Sequence, residues 1–198
     1  MIDFDEDRHA YTDPDTGRDV PSVTTALGVL ESYAGIPDSV LQKASERGTK
    51  VHRAVELYLE GDLDELSLDP DIASYFYAYI RFERETGFRP RLSEARVWNK
   101  KFNYAGTLDL EGPDPKGSRR DAIIDIKTSA QLMPTVGPQL AAYEKAFTEN
   151  GKSKKKPIRY GLLLKPDGSY HLKEYSDPTD FSVFLACLTV FNYKGIKK

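Results

Sequence analysis

The stretch Asp121-Ala122-Ile123-Ile124-Asp125-Ile126-Lys127 decides how this chain is read. In an extended strand successive side chains alternate faces, so Asp125 and Lys127 project from one side while Ile124 and Ile126 enter the other. A carboxylate and an ammonium therefore stand side by side. The flanking isoleucines make the strand too apolar for a casual surface edge, so the charges are expected to face a cleft. Upstream, Gly106-Thr107-Leu108-Asp109 begins a neighbouring strand, Gly106 to Glu111, with Gly112 to Arg120 as the connection. Asp109 can then stand opposite Asp125, and two carboxylates converging on one point invite a divalent cation.

Outward from this pair the pattern extends in both directions. Arg91 to Trp98, Tyr104 to Glu111 and Ala122 to Thr128 read as three consecutive strands with short connections, which favours an antiparallel meander. A helix is expected from Pro138, suited to a first turn, to Asn150, ended by Gly151, with Gln139 and Tyr143 on one face. Residues Arg159 to Lys165 and Tyr170 to Tyr175, joined at Pro166-Asp167-Gly168-Ser169, form a hairpin, and Asp177-Pro178 starts a last helix to about Tyr193. On the N-terminal side, Phe4 to Val20 reads as a short hairpin turning at Asp15-Thr16-Gly17, and Ser22 caps a helix reaching about Ser32. From Asp38 to Leu59 apolar residues recur at helical spacing, with Gly61 as the stop and Gly48 as a break; His52 and Glu56 share a face. A further helix spans Pro70 to Thr86 and ends at Gly87.

The 198 residues suffice for one α/β domain with a substantial core, and a hydrophobic share of 39% with 30% charged residues suits a folded chain with a well-solvated surface. The net charge of −3 carries no global nucleic-acid signal, so any polyanion contact must be local. Lys100-Lys101, Lys116 with Arg119-Arg120, and Lys152 with Lys154-Lys155-Lys156 are the candidates, each read by default as solvated loop charge. The single cysteine, Cys187, rules out an intrachain disulfide and any multi-cysteine metal site, and its apolar neighbours place it in the core. No apolar run approaches a membrane span and the acidic start does not resemble a secretory signal, so a cytoplasmic location is expected by default.

The reaction that most needs paired carboxylates, a divalent ion and a nearby ammonium is hydrolysis of a phosphodiester. Asp109 and Asp125 would be hard oxygen ligands, the carbonyl of Ile126 could add a third, and Lys127 would orient the water or neutralise the attacked phosphate. A lone Asp-x-Lys is otherwise an exposed ion pair worth about 0–1 kcal/mol. A lone histidine such as His52 is more often packed or solvated than a ligand, and Gln139 with Tyr143 would pass as an ordinary helix face.

Five motifs in sequence, Arg47-Gly48-Thr49-Lys50-Val51-His52 with Glu56, Glu94, Gly106-Thr107-Leu108-Asp109, Asp125-Ile126-Lys127 and Gln139-Leu140-Ala141-Ala142-Tyr143, together resemble the PD-(D/E)XK nuclease superfamily and, within it, the RecB-type exonucleases. Pro21-Ser22-Val23-Thr24 also looks like the segment preceding the core in phage-type relatives and mitochondrial genome maintenance exonucleases. The resemblance covers about Pro21 to Tyr175. It implies an α/β (α+β) restriction-endonuclease-like core, αβββαβ, with a central mixed sheet flanked by helices. It divides one domain, 1–198, into an N-terminal hairpin and helix (1–36), a nuclease core (37–175) and a C-terminal helix (176–198).

Residue by residue, the resemblance makes His52 an additional metal ligand beside Asp109, Asp125 and Ile126, or a residue facing that site, with Lys127, Asp109, Asp125 and Glu94 catalytic. Gln139, Tyr143 and Arg47 would position lysine and DNA. Glu94 could be a ligand, a water-orienting base or a partner for an arginine, and Glu56 would support the site or the helix. Mg²⁺ or Mn²⁺ is the implied cofactor. Iron–sulfur members use four cysteines, and with one cysteine no cluster is expected. No Gly-x-x-x-x-Gly-Lys-Ser/Thr run occurs, so ATP is not expected as a cosubstrate. DNA ends, single- or double-stranded, are the expected partner, with a recombination or single-strand-binding protein as a further one and no membrane. The alternatives are a structure-specific or restriction-like endonuclease and a catalytically silent DNA-binding accessory protein; a carboxylate-pair glycosidase explains neither Lys127 nor His52.

Overall fold

The computed structural model describes residues 2–6, 8–31, 35–149, 151 and 155–196. Ser32, Asn150, Lys152 and Lys154, on which two expected helix ends and part of the expected basic loop fall, lie outside the described residues.

The chain begins with three short antiparallel strands, β1 (Asp3–Asp5), β2 (Ala10–Thr12) and β3 (Asp19–Val20), in that order. The expected hairpin is β2–β3, its turn closed by the Asp13 N–H donating to the Arg18 carbonyl at 2.9 Å. β1 is an additional strand, placed by the pairing of Phe4 with Tyr11. Ser22 caps helix α1 (Val23–Leu27), its hydroxyl accepting from the Thr25 N–H at 2.9 Å. This helix is one turn long rather than three, because Gly28 already forms its C-cap.

Helix α2 (Asp38–Glu60) runs straight through Gly48 and stops at Gly61, where a φ of 82° gives the left-handed C-cap that glycine adopts without strain. Helix α3 (Pro70–Thr86) ends in the same way at Gly87. Strands β4 (Leu92–Asn99), β5 (Tyr104–Pro113) and β6 (Asp121–Lys127) form the meander, α4 (Val136–Glu149) crosses over, and β7 (Ile158–Leu164) lies parallel to β6 before turning into β8 (Tyr170–Tyr175). The sheet order is β4-β5-β6-β7-β8, and α5 (Asp180–Ile196) follows. The fold is the expected αβββαβ arrangement around a mixed central sheet flanked by helices, a restriction-endonuclease-like order extended by two more helices before the first strand of that sheet and by one more strand and α5 after the last. The parallel β6–β7 pair requires a crossover, and α4 supplies it.

Two apolar cores clamp the sheet. On one face Val51 and Val55 of α2 and Phe76, Tyr79 and Phe82 of α3 pack on Ile124, Ile126 and Leu162. On the other, Val23 and Leu27 of α1, Leu140 and Phe147 of α4 and Phe184 of α5 pack on Leu108 and Ile123. Cys187 is buried in this second core. Burial on both faces explains why β6 reads as a continuous isoleucine-rich run rather than as a polar–apolar alternation.

The alternation of β5 breaks at Asp109. Leu108 belongs to the α1–α4–α5 core and Leu110, two residues later, to the α2–α3 core. The β4–β5 ladder pairs Ser93 with Leu110 and Ala95 with Leu108, passing over Glu94 opposite Asp109, and the β5–β6 ladder ends at Leu110 with Ile124. Regular pairing thus lapses at one place, and such irregularities re-aim side chains.

Candidate metal centre and its cleft

The lapse in pairing is where the ionisable residues meet. Glu94 has a φ of 48°, in the left-handed region that non-glycine residues seldom occupy, and the surrounding ladder holds it there. Its carboxylate reaches 3.5 Å from His52 Nδ1, which also lies 3.6 Å from Asp109 Oδ1. His52 projects from α2, Glu94 from β4 and Asp109 from β5, and one ligand-capable atom of each lies within 4.8 Å of the others. The second nitrogen of His52, Nε2, is 3.1 Å from the carbonyl of Ile126, which fixes the ring plane against the end of β6. Asp109 turns its other oxygen to the backbone of β6, accepting the Ile126 N–H at 2.5 Å.

Asp125 is otherwise engaged. It is 1% exposed, its Oδ2 lies 2.7 Å from Lys127 Nζ, and its Oδ1 accepts from Gln139 Nε2 at 2.8 Å. Gln139 also donates to the hydroxyl of Tyr143 at 3.2 Å, so α4 holds the carboxylate through two residues one turn apart. The Tyr143 ring lies over Gly106: a Cβ there would fall 2.5 Å from its Cε1. Glycine is required at that position by close approach.

The electrostatics follow from burial and crowding. Burial opposes the His52 charge, but Asp109 and Glu94 outweigh it and lift the imidazole from 6.5 to about 9. Burial raises Asp125 to about 6, with Lys127 pulling it down and Asp109 pushing it up. Burial likewise raises Asp109, against the pull of His52 and Lys127. Lys127 sits above the ordinary lysine value because Asp125 and Asp109 overcome the cost of its burial. Burial and the same two carboxylates push the Tyr143 phenol well up, so it acts as a neutral hydrogen-bonding group.

His52, Glu94, Asp109, Asp125, Ile126, Lys127, Gln139 and Tyr143 are therefore assembled around the middle of β5 and the C-terminal end of β6. Glu94 enters the three-residue cluster, while Asp125 serves Lys127 and Gln139. Arg47 is turned elsewhere: it donates to the Thr128 carbonyl at 3.1 Å and sets its guanidinium 5.3 Å from the Tyr75 ring, tying α2 to β6 and α3. Glu56 pairs with Arg53 at 2.5 Å along α2.

The cluster opens into a cleft of about 800 Å³ walled by α2 on one side and the N-terminal strands on the other. Phe4, His9, Tyr11 and Arg96 line it, and sequence reasoning had given none of them a place at the site. The signal available was the pair of aromatics within the N-terminal hairpin, which only a known docking of that hairpin could have interpreted.

Neither the family models nor the curated proteins compared with this chain match it. Among solved structures, a protein of Eubacterium rectale described as a candidate exonuclease is similar to it, with a TM-score of 0.55 at 14% identity over 86% of this chain and 77% of that one. This is a likeness of fold. A second structure, SSO0001, has a TM-score of 0.40 at 15% identity over 73% of each chain, too remote to carry an argument.

Proposed function

We propose that the chain is a metal-dependent deoxyribonuclease of the PD-(D/E)XK superfamily and RecB type that hydrolyses phosphodiester bonds at DNA ends, most like the cluster-free phage and mitochondrial genome maintenance exonucleases. The observation that carries this reading is the Lys127 ammonium, ion-paired at 2.7 Å to buried Asp125, beside the cluster of His52, Glu94 and Asp109 in one cleft. The likeness of fold to a protein described as an exonuclease supports it. Residues 37–175 form the nuclease core, with 1–36 and 176–198 added at its ends in one domain. Its setting would be DNA recombination, repair or processing in a bacterial or phage-infected cytoplasm, alongside a recombination or single-strand-binding protein.

The donor set fits a hard divalent cation. The two carboxylates suit Mg²⁺ or Mn²⁺, the imidazole is the softer third donor, and the field that charges His52 equally favours a bound cation. When bound, such an ion polarises a phosphoryl oxygen and lowers the pKa of its water. Asp109, Glu94 and His52 would hold it, with the Ile126 carbonyl and Asp125 adjoining. Lys127, kept charged by Asp125 and Asp109, places its ammonium where negative charge grows on the attacked phosphate. Gln139 and Tyr143 keep Asp125 in the orientation that holds Lys127. Neither ATP nor an iron–sulfur cluster has a part.

The test is digestion of end-labelled single-stranded, double-stranded and covalently closed circular DNA with Mg²⁺ or Mn²⁺. Stepwise release from the ends of linear DNA, abolished by EDTA, is expected. Activity that persists in excess EDTA would remove the metal, cleavage of closed circles would replace the exonuclease with an endonuclease, and no cleavage of any substrate would leave a DNA-binding accessory.

A further inference from the structure

The wall of the cleft opposite α2, where the N-terminal strands meet β4, carries aromatic rings beside the ligand cluster. Phe4 on β1 and Tyr11 on β2 pair directly across the strands, and their rings meet at 4.7 Å with a 42° tilt. His9 meets Phe4 edge-on at 5.1 Å, and Arg96 of β4 sets its guanidinium 5.1 Å from the Phe4 ring centre. All four residues line the cleft that holds His52, Asp109 and Lys127.

This wall is anchored to the site. The Tyr11 hydroxyl and Thr107 Oγ1 are hydrogen-bonded at 2.7 Å, and the Ala105 N–H donates to the Pro21 carbonyl at 2.9 Å. Ile2, Tyr11 and Val20 pack on Trp98 and Ala105. Thr107 precedes Asp109 by two residues, about 7 Å along an extended strand, so the rings stand next to the ligand cluster.

Aromatic faces and guanidinium groups in a nucleic-acid cleft bind bases by stacking. Inside a duplex neighbouring pairs cover both faces of a base and at its end one face stays covered, whereas an unpaired terminal base can turn its whole face to an aromatic ring. We propose that Phe4, backed by Tyr11 and Arg96, forms a subsite that stacks one unpaired nucleobase while the adjoining phosphodiester lies at the ligand cluster. The place of the phosphodiester rests on the nuclease reading; the stacking itself does not. The subsite commits the substrate to a single-stranded terminus, whether free, overhanging or frayed.

The test is fluorescence anisotropy of short labelled single-stranded oligonucleotides in EDTA, using an intact strand, a set with one abasic site moved along the terminal nucleotides, and a blunt duplex. One abasic position should weaken binding to the wild-type chain about tenfold, and Phe4→Leu, which keeps the apolar bulk, should weaken the intact strand by a similar factor while losing discrimination at that position. Phe4→Trp should restore both. The proposal is overturned if no abasic position matters to the wild-type chain, a result independent of whether any variant folds. It is equally overturned if Phe4→Leu loses the same factor at every position or if the blunt duplex binds as well as the single strand. Hydrolysis of the same oligonucleotides in Mg²⁺ is scored separately. Abasic discrimination without hydrolysis keeps the subsite and removes the nuclease reading, whereas hydrolysis without discrimination does the reverse.

Discussion

Lys127 is the residue on which the proposed chemistry turns. Its ammonium is held 2.7 Å from a carboxylate that is itself locked by Gln139, so it cannot wander to solvent without leaving Asp125 buried without its ion-pair partner. Lys127→Ala is expected to lower single-turnover cleavage of a labelled oligonucleotide by about 10²–10³, the loss typical of one donor to a developing oxyanion, with the circular dichroism spectrum unchanged. Near-wild-type turnover would take Lys127 out of the mechanism. Gly106 acts through space alone. A methyl group there meets the buried Tyr143 ring, which must move and carry Gln139 away from Asp125. Gly106→Ala should therefore destabilise the fold by about 1–3 kcal/mol, as overpacked cores do, and should also slow cleavage at saturating substrate. A variant losing stability at unchanged turnover would show that Tyr143 serves packing only.

Among the elements, the β5–β6 connection shows how a loop keeps the two site strands in register. Asp114 accepts the N–H groups of Lys116 and Ser118, each at 3.0 Å, and the Tyr160 hydroxyl of β7 at 2.9 Å. Burial works against its charge, but these bonds outweigh burial and hold its pKa below 3.8. Because the folded value is depressed, the stabilisation is present above the unfolded value of 3.8 and is lost as pH falls through the folded one. Asp114→Ala should cost about 1–3 kcal/mol in urea unfolding at pH 7, and its gap from the wild-type chain should narrow near pH 3. A gap independent of pH would mean that the charge of Asp114 is not what holds the turn. Much of this level was legible beforehand. The ends of α2 and α3, the meander and the β7–β8 hairpin follow from glycine placement, turn residues and hydrophobic period, which are local properties. The extent of α1 and the strand β1 were not, since one depends on an early cap and the other on pairing with β2.

Across the whole molecule, Arg159 joins pieces that the sequence shows only as separate elements. It is 4% exposed on β7, lies 3.1 Å from Asp180 at the start of α5 and 3.5 Å from Glu144 of α4, and donates to the Asp177 carbonyl at 3.0 Å. Arg159→Ala takes the cation from buried Asp180 and leaves Glu144 with Lys156 alone, 3.4 Å away, and should cost about 3–5 kcal/mol by chemical unfolding, far more than an exposed ion pair. A loss below about 1 kcal/mol would show that water reaches those carboxylates.

The sequence by itself determined that Asp125 and Lys127 share a face, that β6 is too apolar for a surface edge and that His52 lies on a long amphipathic helix, because these depend on composition and on the periods of strand and helix alone. Tertiary structure decided which of these groups meet. Glu94 joins His52 and Asp109 through a strained φ on β4 and a break in the alternation of β5, neither of which has a local signature in the sequence. Arg47 turns to Thr128 and Tyr75, and Phe4 with Tyr11 becomes a wall of the cleft, only because elements distant in the chain dock there. Periodicity is written residue by residue, whereas convergence depends on long-range register and packing.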